Sequence, residues 1–236
     1  MIDLQTWIDW AGGPLFRAAL AFMLLGLARR AALNAWEIVR AWRRAGDKQL
    51  PWRAVLRATL RWLFPLGHVG NRALFSATTL LFHAAVILVP LFLAGHVALW
   101  QPWLGIAWPV MPSALATALT VAAVVAALGL VIQRAASRAT RALSRLEDYA
   151  LPIVVGLPFL TGLLVMHPGW NPFSYQWTML AHVLSADLLL VLFPLTKLSH
   201  MVLLPATQLV SELAWHFPPD AGSRVAAALR KEGEPI

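Results

Sequence analysis

Charged residues are absent from two long stretches of the chain. No Asp, Glu, Lys or Arg occurs between Arg72 and Arg134, or between Asp148 and Asp187. A helix that crosses a lipid bilayer needs roughly 20 apolar residues. The first stretch therefore predicts two membrane-spanning helices joined by a turn, and the second predicts one complete helix and the start of another.

With an apolar segment near the N-terminus, the pattern predicts an all-α bundle of five membrane-spanning helices. The predicted spans are 14–31, 74–99, 110–132, 149–167 and 177–203. The first span is the weakest, because Arg17 lies near its start and must reach the head groups or a buried partner. We expect one membrane domain, residues 1–204, followed by a tail, residues 205–236.

The composition agrees with a membrane protein, since 59% of the residues are hydrophobic and only 13% are charged. Soluble proteins average about a quarter charged residues. Of the 19 basic residues, 18 fall on one side of the predicted bundle, and the positive-inside rule makes that side cytoplasmic. The N-terminus is therefore expected outside and the C-terminus in the cytoplasm. Because membrane orientation explains the net charge of +8, no nucleic-acid partner is expected.

Two cytoplasmic segments are predicted to be amphipathic. Residues 51–64 place Arg53, Arg57 and Arg61 on one helical stripe, so this segment should lie in the membrane interface with anionic lipid as its partner. A second short helix is predicted at 208–217, and little structure is expected after it. Cysteine is absent, which excludes thiolate catalysis and an iron–sulfur cluster held by cysteines of this chain.

Four of the seven histidines lie within the predicted spans, namely His83, His96, His182 and His200. An ionisable side chain inside a membrane is costly and is a functional candidate for that reason. The interval from His182 to His200 corresponds to about five whole turns of an uninterrupted helix. They should share one face, roughly 27 Å apart along the axis, with one histidine near each leaflet.

The expected topology pairs the four histidines by depth. Span two runs outward and span five runs inward, so His83 can face His200 on the inner side and His96 can face His182 on the outer side. Such pairs fit axial ligation of two b-type haems by neutral imidazoles. The interval from His83 to His96 is about 3.6 turns, so these two do not share a helical face, which helix tilt would have to absorb. Buried imidazoles without a cofactor are the alternative interpretation.

A family resemblance rests on these residues. The five-span layout, the Leu81-Phe82-His83 and Gly95-His96 elements and the His182 to His200 spacing occur together. The chain resembles the gamma subunit of respiratory nitrate reductase and the related cytochrome b subunits associated with dissimilatory sulfite reductase and heterodisulfide reductase. The interval between the two histidines of span two is longer than in the nitrate reductase pattern, so His167 is an alternative to His96 as the outer ligand.

The resemblance implies a function in electron transfer. It implies a dihaem cytochrome b in the inner (plasma) membrane of a bacterial or archaeal cell, ligated by the four span histidines. Such a subunit of a quinol-linked oxidoreductase complex exchanges electrons between the quinone pool and a cytoplasmic iron–sulfur protein. We expect that protein to contact residues 29–72, 134–148 or 205–236, the parts of the chain on the cytoplasmic side.

The resemblance also favours a quinol site on the outer side, beside His96 and His182. Neutral hydrogen-bonding groups and aromatic rings in that region suit a quinone head group. Asp187, the one carboxylate within a span, is turned about 140° from His182 on the helix and is expected either to relay protons or to bridge to another helix through Ser185 or water. The candidate residues are Trp100, Gln101, Trp103, Gln176 and Asp187.

A different class of function is also consistent with the intramembrane histidines and Asp187. A proton or metal-ion transporter or channel uses such groups to relay protons or bind ions. The depth pairing and the absence of a visible inverted repeat favour electron transfer. A membrane subunit that has lost its cofactors is a third, weaker interpretation.

Overall fold

In the computed structural model of the protein, residues 3–44, 52–63, 73–106, 108–200 and 221–232 are described. Their regular structure is entirely helical. Ten α-helices occur in these ranges: α1 (Leu4–Trp10), α2 (Phe16–Arg44), α3 (Trp52–Leu63), α4 (Ala73–Phe92), α5 (Ala94–Leu104), α6 (Ser113–Ala136), α7 (Arg138–Leu143), α8 (Leu146–Met166), α9 (Tyr175–Leu195) and α10 (Ala221–Leu229). A π-helical turn, Ala11–Leu15, joins α1 to α2, and 3₁₀ turns occupy Pro168–Trp170 and Lys197–Ser199.

Five helical stretches are long and apolar enough to cross a membrane. They are Leu4–Arg43, Ala73–Phe92, Ser113–Ala136, Leu146–Met166 and Tyr175–Leu195. The predictions of an all-α fold and of five spans are therefore confirmed, as expected for a multi-pass membrane protein. The sides on which the termini lie, and the division at residue 204, stay predictions, and the helix predicted at 208–217 lies outside the described residues.

The chain divides into two compact units. One comprises Met1–Leu20 with His68–Leu190, and the other comprises Ala21–Gly67 with Val191–Ile236. Each is considered by itself below.

In the first unit, α6 packs between α4 and α8. Small residues form this contact, among them the buried Ala116, Ala123 and Ala127 of α6. A Cβ added at Gly156 of α8 would lie 3.2 Å from the Cβ of Ala127, so the two backbones approach closely. Small residues at a helix interface permit such close packing in lipid, where dispersion contacts replace the hydrophobic effect.

In the second unit, the closest approach is between α2 and the end of α9. A Cβ added at Gly26 would lie 2.5 Å from the Cβ of Pro194, a distance that real side chains do not reach. One turn further along α2, the Arg30 guanidinium donates to the Pro194 carbonyl oxygen. The glycine lets the helices touch, and the arginine then satisfies a carbonyl near the end of α9.

The predicted second span is broken, and its prediction as one helix over 74–99 is wrong. Leu93 has an extended backbone (φ −70°, ψ 133°) between α4 and α5. The break leaves carbonyl groups without helical partners, and two of them gain new ones: Trp108 Nε1 donates to Leu91 O at 2.6 Å, and Met111 N donates to Phe92 O at 2.9 Å. Helix α5 then continues to Leu104, so residues 100–104 are helical instead of belonging to an external loop.

The predicted fifth span also ends early, and its prediction as one helix over 177–203 is wrong. Helix α9 stops at Leu195, one residue after Pro194. Thr196 is extended and its side chain accepts from Leu198 N, which starts a separate 3₁₀ turn. His200 follows that turn, so an uninterrupted helix does not connect it to His182. Helix α10 in the tail likewise corrects the expectation of little structure there.

Candidate functional site

The structure brings His96 and His182 side by side. Their ring centroids are 6.1 Å apart and the ring planes are within 5° of parallel. His182 lies in the middle of α9 and His96 in the first turn of α5, shortly after the break at Leu93. Both side chains are half-buried. These are the two histidines that depth pairing assigned to the outer side.

The His182 ring is fixed by α8. Its Nδ1 lies 2.9 Å from the carbonyl oxygen of Pro158 and 3.3 Å from Thr161 Oγ1. Because a carbonyl only accepts hydrogen bonds, a neutral His182 has its proton on Nδ1 and its lone pair on Nε2. Metal-ligating histidines nearly always donate their other ring N–H to such a group, so His182 is oriented like a metal ligand.

Gly162 provides the space for this ring. A Cβ at Gly162 would lie 2.9 Å from Cε1 and 3.2 Å from Nδ1 of His182. Since such a close approach is essentially never seen for a real Cβ, even alanine at this position would push the ring away from α8. Sequence reasoning missed Pro158, Thr161 and Gly162, although a glycine within an apolar span is a signal of close approach by another group.

His96 is held less firmly. Its Nδ1 is buried and forms no hydrogen bond within the described part of the chain. The carbonyl groups of Val89 and Pro90, just before the helix break, lie near this ring. The break therefore supplies both the position of His96 and carbonyl acceptors beside it.

His83 and His200, the pair predicted for the inner side, also place Nδ1 against a carbonyl oxygen, but one that lies three or four residues earlier in the same segment. His83 Nδ1 lies 2.8 Å from Thr79 O, and His200 Nδ1 lies 2.7 Å from Lys197 O. Each neutral ring therefore has its proton on Nδ1 and its lone pair on Nε2. His83 belongs to the first unit and His200 to the second, so their pairing stays a prediction.

His167, the alternative outer ligand, lies in a different setting. It follows the last residue of α8, and its Nε2 lies 3.0 Å from Thr117 Oγ1. Its ring stacks on Trp170 with centroids 4.4 Å apart. The ring that lies against His182 is that of His96.

Asp187 is buried in α9 with 4% of its surface exposed. Neither carboxyl oxygen has a hydrogen-bond partner in the described part of the chain. Ser185, the expected bridge, donates instead to the carbonyl oxygen of His182 at 2.9 Å, so the prediction of a bridge through Ser185 is wrong. A buried carboxyl group without a partner is costly, and Asp187 is therefore either protonated or satisfied by a group outside the described part of the chain.

The remaining quinone-site candidates lie at the ends of α5 and α9. Gln101 is exposed in α5, and Gln176 is exposed in the first turn of α9. Trp100 and Trp103 also belong to α5. Within the described residues, no group of three or more His, Cys, Asp or Glu side chains is arranged to hold a metal ion. Any metal bound through His96 and His182 would therefore have two protein ligands.

The chain shows extended similarity to a known protein. A protein of Nitratidesulfovibrio vulgaris is 34% identical to it over 200 residues, which are 81% of this chain and 85% of the relative. No protein-family model matches the chain, and no solved structure matches it. At this identity and coverage, the chain belongs to the same family as the Nitratidesulfovibrio vulgaris protein.

Proposed function

We propose that the chain is a membrane cytochrome b subunit with two haems, which transfers electrons between the quinone pool and a cytoplasmic iron–sulfur partner. The observation that supports this most is the His96–His182 pair. A metal–imidazole bond is about 2 Å long and the ring centre lies about 1.2 Å behind the nitrogen, so two imidazoles that held one metal ion between them would have centroids about 6.4 Å apart. The observed separation is 6.1 Å.

The hydrogen bond made by His182 distinguishes this pair from an ordinary aromatic contact. Stacked side chains have centroids roughly 4.5–7 Å apart, so separation alone fits both. The Pro158 carbonyl, however, fixes the His182 proton on Nδ1 and leaves Nε2 as the ligand nitrogen, which is the arrangement found in metal sites. His83 and His200 have the same Nδ1–carbonyl contact, and we propose that they hold the second haem.

The protein residues would then tune the cofactor. Bound haem supplies reversible one-electron chemistry. The carbonyl groups that accept from Nδ1 increase the basicity of the axial imidazoles and fix their orientation. The apolar helices exclude water, which lowers the local dielectric constant and raises the cost of adding charge to the site.

We place quinol binding on the outer side, near Trp100, Gln101, Trp103 and Gln176. Exposed amide groups at Gln101 and Gln176 suit hydrogen bonding to a quinone head group. Oxidation of quinol there releases protons outside, while electrons leave on the cytoplasmic side, which makes turnover electrogenic. Asp187, buried without a partner in the described part of the chain, is a proton-carrying group in this scheme.

The same carboxyl group supports a second candidate function. A proton path through Asp187 and the span histidines would describe a transporter or channel. The two functions differ in their need for a cofactor, because a transporter needs no visible chromophore.

A reduced-minus-oxidised visible spectrum tests the proposal. The purified chain should show the absorption of b-type cytochrome, with two haems per polypeptide by pyridine haemochrome assay. A protein that folds, contains no haem after expression with ample haem supply, and conducts protons in liposomes would instead support the transporter.

Replacing Gly162 with Ala should reduce occupancy of the outer haem. The added methyl group would lie 2.9 Å from the His182 ring, so the ring must move by several tenths of an ångström, and the axial bond tolerates little displacement. Gly129→Ala is a matched control, because its added methyl would meet Thr78 at an ordinary 3.5 Å. The haem-to-protein ratio should fall by up to half in Gly162→Ala and stay unchanged in Gly129→Ala. Equal ratios in both variants would show that His182 is not a ligand.

A further inference from the structure

Helix α2 extends well beyond the apolar part of the first span. The apolar run ends at Arg29 and Arg30, and the helix continues without interruption to Arg44. At about 1.5 Å per residue, Arg43 lies about 20 Å beyond Arg30 along the axis. Head groups add only about 5–8 Å on each side of the hydrocarbon core. Even with a typical tilt of about 20°, the last turns of α2 project into the aqueous phase.

This projecting part of α2 has an exposed face with mixed chemistry. An open cavity of about 460 Å³ runs along it and is lined by Trp36, Val39, Arg40 and Arg43. Their spacing places them on one helical face over two turns. Trp36 is 60% exposed and Val39 is 44% exposed. The face therefore presents an aromatic ring and two guanidinium groups together.

The surroundings of the cavity are strongly basic. Residues 29–72 contain ten basic residues and two acidic ones. Of the acidic pair, Glu37 contacts Arg40 at 3.8 Å, and such an exposed ion pair is weak. Helix α3 starts beside this surface, since Trp52 stacks on Trp42 with ring centroids 6.0 Å apart. It adds the exposed side chains of Arg53, Arg57 and Arg61.

We propose that the cavity lined by Trp36, Val39, Arg40 and Arg43 is the docking site for an acidic soluble protein. Tryptophan and arginine are the residues most often found at the energetic centre of protein interfaces. The excess positive charge would complement an acidic partner surface and speed its association. A lipid surface fits less well, because the cavity lies about 9–20 Å beyond the end of the apolar run. That the partner is an iron–sulfur protein rests on the proposed function.

Site-specific photo-crosslinking in native membranes tests the docking site. Trp36 is replaced with p-benzoylphenylalanine, and the same group is placed at Leu25 as the control. Leu25 is 72% exposed and lies about three turns earlier, which puts it on nearly the same helical face but within the apolar run. The Trp36 probe should crosslink to one acidic soluble protein, identified by mass spectrometry, and the Leu25 probe should not. Phospholipid adducts at position 36, or the same products at both positions, would overturn the proposal.

Charge reversal adds an independent readout. Arg40→Glu with Arg43→Glu should lower the crosslinking yield at Trp36 at least about fivefold, as expected from loss of complementary charge. Raising the ionic strength to about 0.5 M should have a similar effect. The control is Arg17→Glu, at an exposed position near the start of α2 that lies outside the segments expected to contact the partner. If the crosslinking yield fell by the same factor per reversed charge in this control, net charge and not the cavity would hold the partner. That result would overturn the proposal.

The haem spectrum of the same membranes separates the two proposals. A crosslink to an acidic protein in haem-free membranes would support the docking site and contradict the cytochrome function. Membranes that contain both haems but give no protein crosslink at Trp36 would contradict the docking site alone.

Discussion

Replacing His182 with Ala should remove one of the two haem absorptions and leave the other. His182 is the best-positioned candidate ligand, because Pro158 O accepts from its Nδ1 and its ring lies parallel to that of His96. Loss of one axial nitrogen removes both the iron–nitrogen bond and the packing of the ring against Gly162. We expect the haem-to-protein ratio to fall from about two to about one. His96→Ala should remove the same component, whereas His83→Ala and His200→Ala should remove the other.

The control for this series is His167→Ala. His167 follows the last residue of α8 and contacts Thr117 and Trp170, so its replacement should preserve both haems. The measurement is a redox titration of the reduced-minus-oxidised spectrum, in which two components with different midpoint potentials are resolved. If His167→Ala removed a component and His96→Ala did not, His167 would be the outer ligand. If every variant lost both components in a folded protein, the pairing by depth would be wrong.

The proximity of His96 and His182 could be predicted from the sequence because it depends only on topology. An apolar run fixes where a helix crosses the membrane, and alternating directions place His96 and His182 at the same level. The detailed geometry could not be predicted. It depends on the Pro158 carbonyl and on the space at Gly162, both on α8, and no periodicity within α9 indicates which residues of another helix will face it.

The face mismatch in span two shows a second limit. On a continuous helix, His83 and His96 would be separated by about 3.6 turns, so they would point in different directions. In the structure the helix breaks at Leu93, so the direction of the His96 side chain is set by α5 and not by a continuation of α4. The break is supported by Trp108 and Met111, residues of the following segment. Pro90 is a residue type that can interrupt a helix, but the position of the break depends on the contacts made by Trp108 and Met111.

The end of span five was mispredicted for a related reason. Apolar residues resume at 201–203, and the prediction of one long helix passed over the polar residues Thr196, Lys197 and Ser199 that come before them. Pro194 cannot donate a backbone hydrogen bond, and Thr196 instead accepts from Leu198 N to begin a new turn. The turn that Thr196 begins therefore ends the helix at a change of polarity, and the supposed common face of His182 and His200 is lost with it.

Replacing Asp187 with Leu should stabilise the protein and impair proton-coupled activity. Both carboxyl oxygens are buried without a partner in the described part of the chain, and an unsatisfied buried polar group costs about 1–3 kcal/mol. Leucine has no polar atoms in its side chain, so the thermal midpoint of the variant should rise, by about 2–4 °C per kcal/mol for a chain of this size. Asp187→Asn should show little gain, because its amide leaves polar atoms equally unsatisfied.

Quinol-dependent haem reduction should slow in the Asp187 variants, although the stability of Asp187→Leu rises. If Asp187 carries a proton released from quinol, neither leucine nor asparagine can replace it, and quinol-dependent haem reduction should slow at least about tenfold, which corresponds to about 1.4 kcal/mol in the barrier.

Gln101→Ala is the comparison, because loss of an exposed hydrogen-bonding group at the quinone site should weaken quinol binding without changing stability. The measurements are thermal unfolding and stopped-flow haem reduction in variants that retain both haems. A destabilised Asp187→Leu protein would show that the carboxyl group has a partner outside the described part of the chain, such as water or a cofactor. If haem reduction kept its rate in Asp187→Leu, Asp187→Asn and Gln101→Ala, quinol oxidation at this end of the bundle would lose its support. If haem reduction slowed only after changes near His83 and His200, the quinol site would lie on the opposite side.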